Sequence, residues 1–305
     1  MFLLTSFSSI IIVTILRNYL IKKNLFDNPG KLKFHTKPTP KGSGIIIFLN
    51  SLILLLYYLI NSPETFQSKD YFVDQFTLIL FINTLLLGSV TLYDDFFNIH
   101  HIWRFFLQII IIFFVINSFY VDYFNSLNNY SIIALPKKLW LGIFFVIWLF
   151  IINSTNFIDG VDGNFSFYGL CTSVFYLILS NITQNTFFID FNIILIISFI
   201  IMLFFNFNNN LKIFSGDIGT IVYGLFLSIN FTIAAFEGYL IYILILHFYV
   251  FFDVSITLLK KIIKKENIFI RHNDFIFFKI HKLNKYYNLI INFFFFLLPT
   301  ALLLL

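Results

Sequence analysis

The sequence predicts an all-α protein: a polytopic integral membrane helical bundle of about ten transmembrane helices, with both termini outside. Three observations lead to that fold class. Hydrophobic residues make up 59% of the chain and charged residues only 11%, a balance that soluble domains do not reach. Mean hydropathy is +0.88. The apolar residues also gather into ten runs, at 3–21, 44–60, 76–93, 103–120, 139–152, 165–180, 187–205, 218–233, 239–257 and 287–305. Most of these approach the roughly 20 residues that carry a helix across a ~30 Å hydrocarbon core.

Charge gives the runs an orientation. Counting Arg17 at the end of the first run, all but Lys69, Lys137 and Lys138 of the 20 Lys and Arg residues lie on the connections after runs one, three, five, seven and nine. By the positive-inside rule those connections are cytoplasmic. A net charge of +5 is what basic loops beside anionic lipid require, and it calls for no nucleic-acid partner. With so little chain between runs, residues 1–305 are expected to form a single membrane domain with cytoplasmic active-site loops at 22–43, 94–103, 153–164, 206–217 and 258–286. The lone Cys171 excludes an intramolecular disulfide and any cysteine-rich metal site. Run one lacks a basic leader and a small-residue cleavage site, so it reads as an anchored first helix.

The first cytoplasmic loop contains Pro38-Thr-Pro-Lys41-Gly42-Ser-Gly44. Two prolines stop any helix, and the glycines allow close backbone approach where the second run begins. It is either a basic turn at the lipid surface or a phosphate-contacting loop led by Lys37 and Lys41. The third run ends in Asp94-Asp95, followed by His100, His101 and Arg104. Adjacent carboxylates at a helix end repel one another and oppose the helix dipole, so capping does not explain them. A divalent cation, or simple solvation, is expected to offset them.

The fifth connection, Asn153 to Asn164, holds Asn156, Asp159-Gly160 and Asp162-Gly163. It reads as a turn-rich loop whose amides and carboxylates share one concavity, with no basic residue in it to pair with either aspartate. The seventh ends in Gly216-Asp217-Ile-Gly219, which sets Asp217 at a helix start, as N-cap or ligand holder. The last connection, 258–286, is long and basic, and is expected to lie on anionic lipid as an amphipathic or loop segment. Asp253, inside run nine, is either functional or paired with a nearby base, and His247 reads as a packed polar residue.

In this order the motifs resemble those of the polyprenyl-phosphate N-acetylhexosamine-1-phosphate transferases, glycosyltransferase family 4. Pro38 to Gly44 is similar to that family's PTPRxGG stretch, Tyr93-Asp94-Asp95 to its paired aspartates, Asn153 to Gly163 to NxxNxxDGxDG, and Phe214 to Gly219 to FxGDxG. The Glu266-Asn-Ile-Phe lead-in and the Phe277-Phe278 pair look most like the O-antigen-initiating undecaprenyl-phosphate branch. His272 matches a family histidine, whereas Phe275 stands where another is expected.

The resemblance implies an enzyme that moves a sugar 1-phosphate from a UDP-N-acetylhexosamine to a polyprenyl phosphate. Mg²⁺ is the implied cofactor, with Mn²⁺ as its substitute, and the lipid bilayer of the bacterial inner membrane is the setting. Asp94, Asp95 and Asp217 would be the catalytic and metal-holding acids. Lys41, Asn156, Asp159, Asp162 and His272 would bind substrate. A homodimer is compatible with this layout. The rival reading is a transporter for a nucleotide sugar or cation, but transporters bind at the bilayer midplane on broken helices, and no internal repeat is visible here. A phosphatidyl-alcohol transferase would need Ala-Arg after its first Asp-Gly, which Asp159-Gly-Val-Asp-Gly lacks.

Overall fold

In a computed structural model, the chain is described at residues 2–30, 35, 37–65, 71–97, 99–119, 137–267, 273–284 and 286–304. The helices are α1 (Phe2–Lys22), α2 (Ile45–Thr65), α3 (Tyr71–Phe97), α4 (His101–Phe119), α5 (Lys137–Ile158), α6 (Asn164–Ile182), α7 (Thr186–Phe207), α8 (Asp217–Phe236), α9 (Leu240–Ile263), α10 (Ile276–Leu283) and α11 (Tyr287–Leu304). Eight are long and apolar enough to cross a membrane, and α2 and α4 contribute shorter apolar stretches at Ile45–Asn61 and Ile102–Ser118. Each of the ten apolar runs is therefore a helix. The protein is an all-α, multi-pass membrane bundle, and no strand longer than an isolated bridge occurs among the described residues.

Two boundaries differ from the sequence reading. Helix α5 runs on to Ile158, so Asn153 and Asn156 are helical and only 159–163 forms a turn. Asn and Thr beyond the apolar run continue the helix because it packs along α8 there: Thr155 Oγ1 donates to Thr220 O at 3.0 Å. The last connection also holds a short eleventh helix, α10.

Helix α8 is the axis of the bundle. Every residue after Asp217 is buried, so its surface is apolar on all sides, as a central helix requires. Helices α2, α3, α5, α6 and α9 surround it. Lipid tails are as apolar as side chains, so these helices are held by close packing and interhelical hydrogen bonds rather than by hydrophobic burial. The closest approach is between the starts of α2 and α8. A Cβ built on Gly44 would lie 2.2 Å from Gly219 Cα, so neither glycine can carry a side chain without parting the helices.

The bonds are spread through the core. Asn50 Nδ2 reaches Ser9 Oγ at 2.9 Å and Ser198 Oγ at 3.0 Å, tying α1, α2 and α7. Trp148 Nε1 donates to Thr232 Oγ1 at 2.7 Å, and Asn292 Nδ2 to Asn164 Oδ1 at 2.9 Å. His247 is fully buried on α9 between the hydroxyls of Tyr168 (2.6 Å) and Tyr176 (2.9 Å), the packed polar role expected of it.

Candidate active site

The site grows from the start of α8. Gly216, with φ 78°, turns the chain into the helix and brings no capping side chain of its own. The cap comes from α3 instead. Asp95 Oδ1 accepts from the backbone N–H of Asp217 at 3.0 Å, and Oδ2 from that of Ile218 at 3.1 Å. Free amides and the positive end of the dipole favour this carboxylate. Two expectations are corrected here. Capping does explain one of the paired aspartates, because the capped helix is α8 rather than their own α3. Asp217 is not the N-cap, so its carboxylate is released for other partners.

Those partners are Asn156 and Arg104. Asn156, on the last turn of α5, donates Nδ2 to Asp217 Oδ1 at 3.2 Å and to Thr220 Oγ1 at 2.9 Å. Arg104 Nη1, on the first turn of α4, donates to Asp94 Oδ2 at 2.7 Å and also contacts Asp217 Oδ2. The other oxygen of Asp94 accepts from Ile99 N at 2.5 Å, closing the turn between α3 and α4. Lys41 completes the group, its Nζ 3.0 Å from Asp95 Oδ1.

Lys41 is held there by backbone pairing. Gly42 N and Ser43 N both donate to Phe214 O (2.8 and 2.9 Å), Gly44 N donates to Ser215 O (2.9 Å), and Phe214 N donates to Pro40 O (2.9 Å). The first connection and the lead-in to α8 thus form one short ladder. Five segments distant in sequence meet at one end of the bundle, with three carboxylates and two cations in contact.

The structure joins Lys41, Asp94, Asp95, Asn156 and Asp217 directly. Asp159 lies half-buried on the α5–α6 turn. Asp162, on the same turn, has an ion-pair partner after all: Lys212 Nζ lies 2.5 Å from its Oδ2. That lysine belongs to the seventh connection, so inspection of the fifth could not reveal it. Arg104 was equally missed as a member of the site. The available signal was its place on the first turn of a helix that begins just after Asp94-Asp95. His272 lies outside the described residues. Phe275 is 3% exposed and sits in an aromatic cluster, so the position where a histidine was expected is filled by a packing ring.

Among the described residues, no three or more His, Cys, Asp or Glu side chains close into a metal cage. Two carboxylate oxygens, from Asp94 and Asp217, do converge on the single nitrogen of Arg104. Both oxygens of Asp95 are occupied by α8 amides, and Lys41 also contacts one of them. Mg²⁺ takes one or two protein carboxylates and completes its shell with phosphate and water; Asp94 and Asp217 offer two such hard oxygens, at the point that the Arg104 guanidinium fills here.

Residues 77–235 match the family described as Glycosyl transferase family 4. This chain belongs to glycosyl transferase family 4. The matched stretch contains Asp94, Asp95, Asn156, Asp159, Asp162 and Asp217, and it stops short of Lys41 and His272.

Among curated family 4 relatives, the chain is 24% identical over 280 residues to the "Probable undecaprenyl-phosphate N-acetylglucosaminyl 1-phosphate transferase" of Bacillus subtilis, covering 88% of this chain and 72% of that protein. It is 27% identical over 202 residues to the phospho-N-acetylmuramoyl-pentapeptide-transferase of Dictyoglomus turgidum, covering 64% of this chain and 59% of that protein. The enzyme of the same name from Petrotoga mobilis is 29% identical over 202 residues, with 61% and 57% covered. The chain thus spans less than two thirds of the length of the latter two. As a family 4 member it is a transferase, built as a multi-pass membrane protein.

Proposed function

We propose that this transferase moves an N-acetylhexosamine 1-phosphate from a UDP-sugar to undecaprenyl phosphate or another polyprenyl phosphate, releasing UMP. The lipid-pyrophosphate-sugar it forms would start a cell-surface glycan of the O-antigen kind. The observation that carries this reading is the convergence of Asp94 and Asp217 on the Arg104 guanidinium, with Lys41 beside them on Asp95, at the ends of four helices. Acids and cations interleaved at a bundle end suit a pyrophosphate better than a midplane transport site does. The names of the relatives agree with that substrate class.

Phosphoryl transfer asks the protein mainly for alignment and charge neutralisation. Bound Mg²⁺ would supply Lewis-acid charge to the pyrophosphate oxygens, with Asp94 and Asp217 holding it and Asn156 fixing the rotamer of Asp217. Lys41 and Arg104 would meet phosphate oxygens as they gain charge. Asp95 orients Lys41 while capping α8, and Asp159, Asp162 and His272 would contact the sugar nucleotide. A phosphate oxygen of the lipid attacks the β-phosphorus of the donor, the β-phosphorus–oxygen bond to UMP breaks, and the anomeric C–O bond is untouched. The product therefore retains the donor's anomeric configuration.

The test incubates purified protein, Mg²⁺ and undecaprenyl phosphate with a panel of UDP-sugars. UMP and a lipid pyrophosphate of matching mass are expected in equal amounts, and added UMP should run the reaction backward. Stoichiometric UDP would overturn attack at phosphorus. The charge bias supports a cytoplasmic site in the bacterial inner membrane. In a Cys171→Ser background, single cysteines beside Asp94, Asp159 and Asp217 should resist an impermeant external reagent, and strong labelling at any of them would overturn that orientation.

A further inference from the structure

Helix α10 is anchored more firmly than a surface segment needs to be. Asp253, 1% exposed on α9, accepts from Ile276 N at 2.7 Å and Phe277 N at 2.9 Å, one through each oxygen, while Thr257 Oγ1 donates to it at 3.2 Å. A second anchor comes from α11. Asn288 Nδ2 donates to Phe277 O at 2.9 Å, and Asn288 Oδ1 accepts from Tyr249 Oη at 2.6 Å. Both anchors grip the first turn of α10, and they fix which way its aromatic face points.

That face covers the turn between α5 and α6. The Phe275 ring lies 5.3 Å from Phe157 and stacks 5.0 Å from Phe277. Phe278 presses on Gly160, where a built Cβ would lie 2.7 Å from two ring carbons. Gly160 stands between Asp159 and Asp162. Only a residue without a side chain fits under this ring, so the ring and the turn define each other's position.

We propose that α10 is a strap that sets the shape of the Asp159–Asp162 turn, with Asp253 and Phe278 as positioning residues for binding of the sugar-nucleotide donor. The donor part rests on the proposed role of that turn; the strap itself rests on the contacts above. A carboxylate buried in a membrane helix is costly unless its hydrogen bonds are met. Here its two oxygens are met by the first amides of α10.

Two readouts test the strap. The first is hydrogen exchange of the backbone amides at 158–164 in the full-length protein. Asp253→Ala should raise their exchange several-fold, and by more than it raises exchange at amides within the spans. Unchanged exchange overturns the strap. The second is kinetic. Asp253→Ala should raise KM for the UDP-sugar about tenfold, the scale of losing roughly one hydrogen bond to the donor, and leave KM for the polyprenyl phosphate as it was. An equal rise in both, or a loss confined to kcat, overturns the positioning role. Gly160→Ala should reproduce the donor effect by lifting the ring, and the double variant Gly160→Ala, Phe278→Ala should recover part of it. No recovery overturns the ring contact. If wild-type protein transfers nothing from any UDP-sugar, the donor reading falls, and the exchange measurement still decides whether the strap exists.

Discussion

Helices α8 and α10 begin in the same way and serve different ends. Each has its first two amides bound by one carboxylate reaching over from another helix: Asp95 of α3 for α8, and Asp253 of α9 for α10. At α8 the capping acid sits among other charges. Lys41 touches it, its neighbour Asp94 faces Arg104, and the first residue of the capped helix is itself an acid. At α10 the capping acid is met by the Thr257 hydroxyl and the two amides, and the first residues of the helix are Ile276, Phe277 and Phe278. The same local device therefore presents charge in one place and fixes a packing surface in the other. The difference lies in what the capped helix carries in its first turn.

The largest expected effect separates capping from chemistry at α8. Asp217→Asn should cost about 10²-fold or more in turnover, the scale of losing a key electrostatic stabiliser. Because Asp95 supplies the cap, the thermal midpoint should stay put. A falling midpoint with little change in turnover would reverse the assignment of the two acids.

Asp95→Ala should do the opposite first. Loss of the cap is worth about 0.5–2 kcal/mol, and Lys41 is left facing a gap, so a lower midpoint in detergent should accompany the loss of activity. Asp95→Asn keeps one acceptor and should recover part of the stability. Equal midpoints for wild type and Asp95→Ala would show that α8 does not depend on this cap.

Gly44→Ala probes the backbone crossing that brings the Lys41 loop to α8. Overpacking of this kind costs about 1–3 kcal/mol, read as a lower midpoint, with Gly219→Ala behaving alike. A neutral Gly44→Ala would mean the two helix starts can part freely.

The smallest effect is expected at Asp162 and Lys212, whose side chains are 35% and 22% exposed. A partly solvated pair contributes about 0.2–1 kcal/mol. Lys212→Met should therefore barely move the midpoint, whereas a donor KM that rises sharply would place Lys212 in the binding of substrate rather than in loop structure.

The helices themselves were legible because a hydrocarbon core imposes length and composition on every span, and ten apolar runs became ten helices. Their ends were less so. Asn153 and Asn156 read as loop because amides are poor helix formers in isolation, and they are helical because contacts along α8 override that preference. Most of the site was legible as well. Lys41, Asp94, Asp95, Asn156 and Asp217 stood out as polar groups at span ends, where lipid leaves few reasons for them.

Pairing was not legible. Lys212 meets Asp162 across 50 residues and Arg104 meets Asp217 across 113, and no local pattern encodes which charge faces which. The roles of the acids were decided the same way. Sequence alone determined that this is a membrane bundle with its candidate site acids and most of its basic residues at one set of span ends, because hydropathy and charge bias are properties summed along the chain. Only the tertiary structure decided that Asp95 caps a helix, that Asp217 is thereby freed to face Arg104, and that Asp253 holds α10 over Gly160. Each of these depends on where one helix end meets another, and that is fixed by packing between segments far apart in the chain.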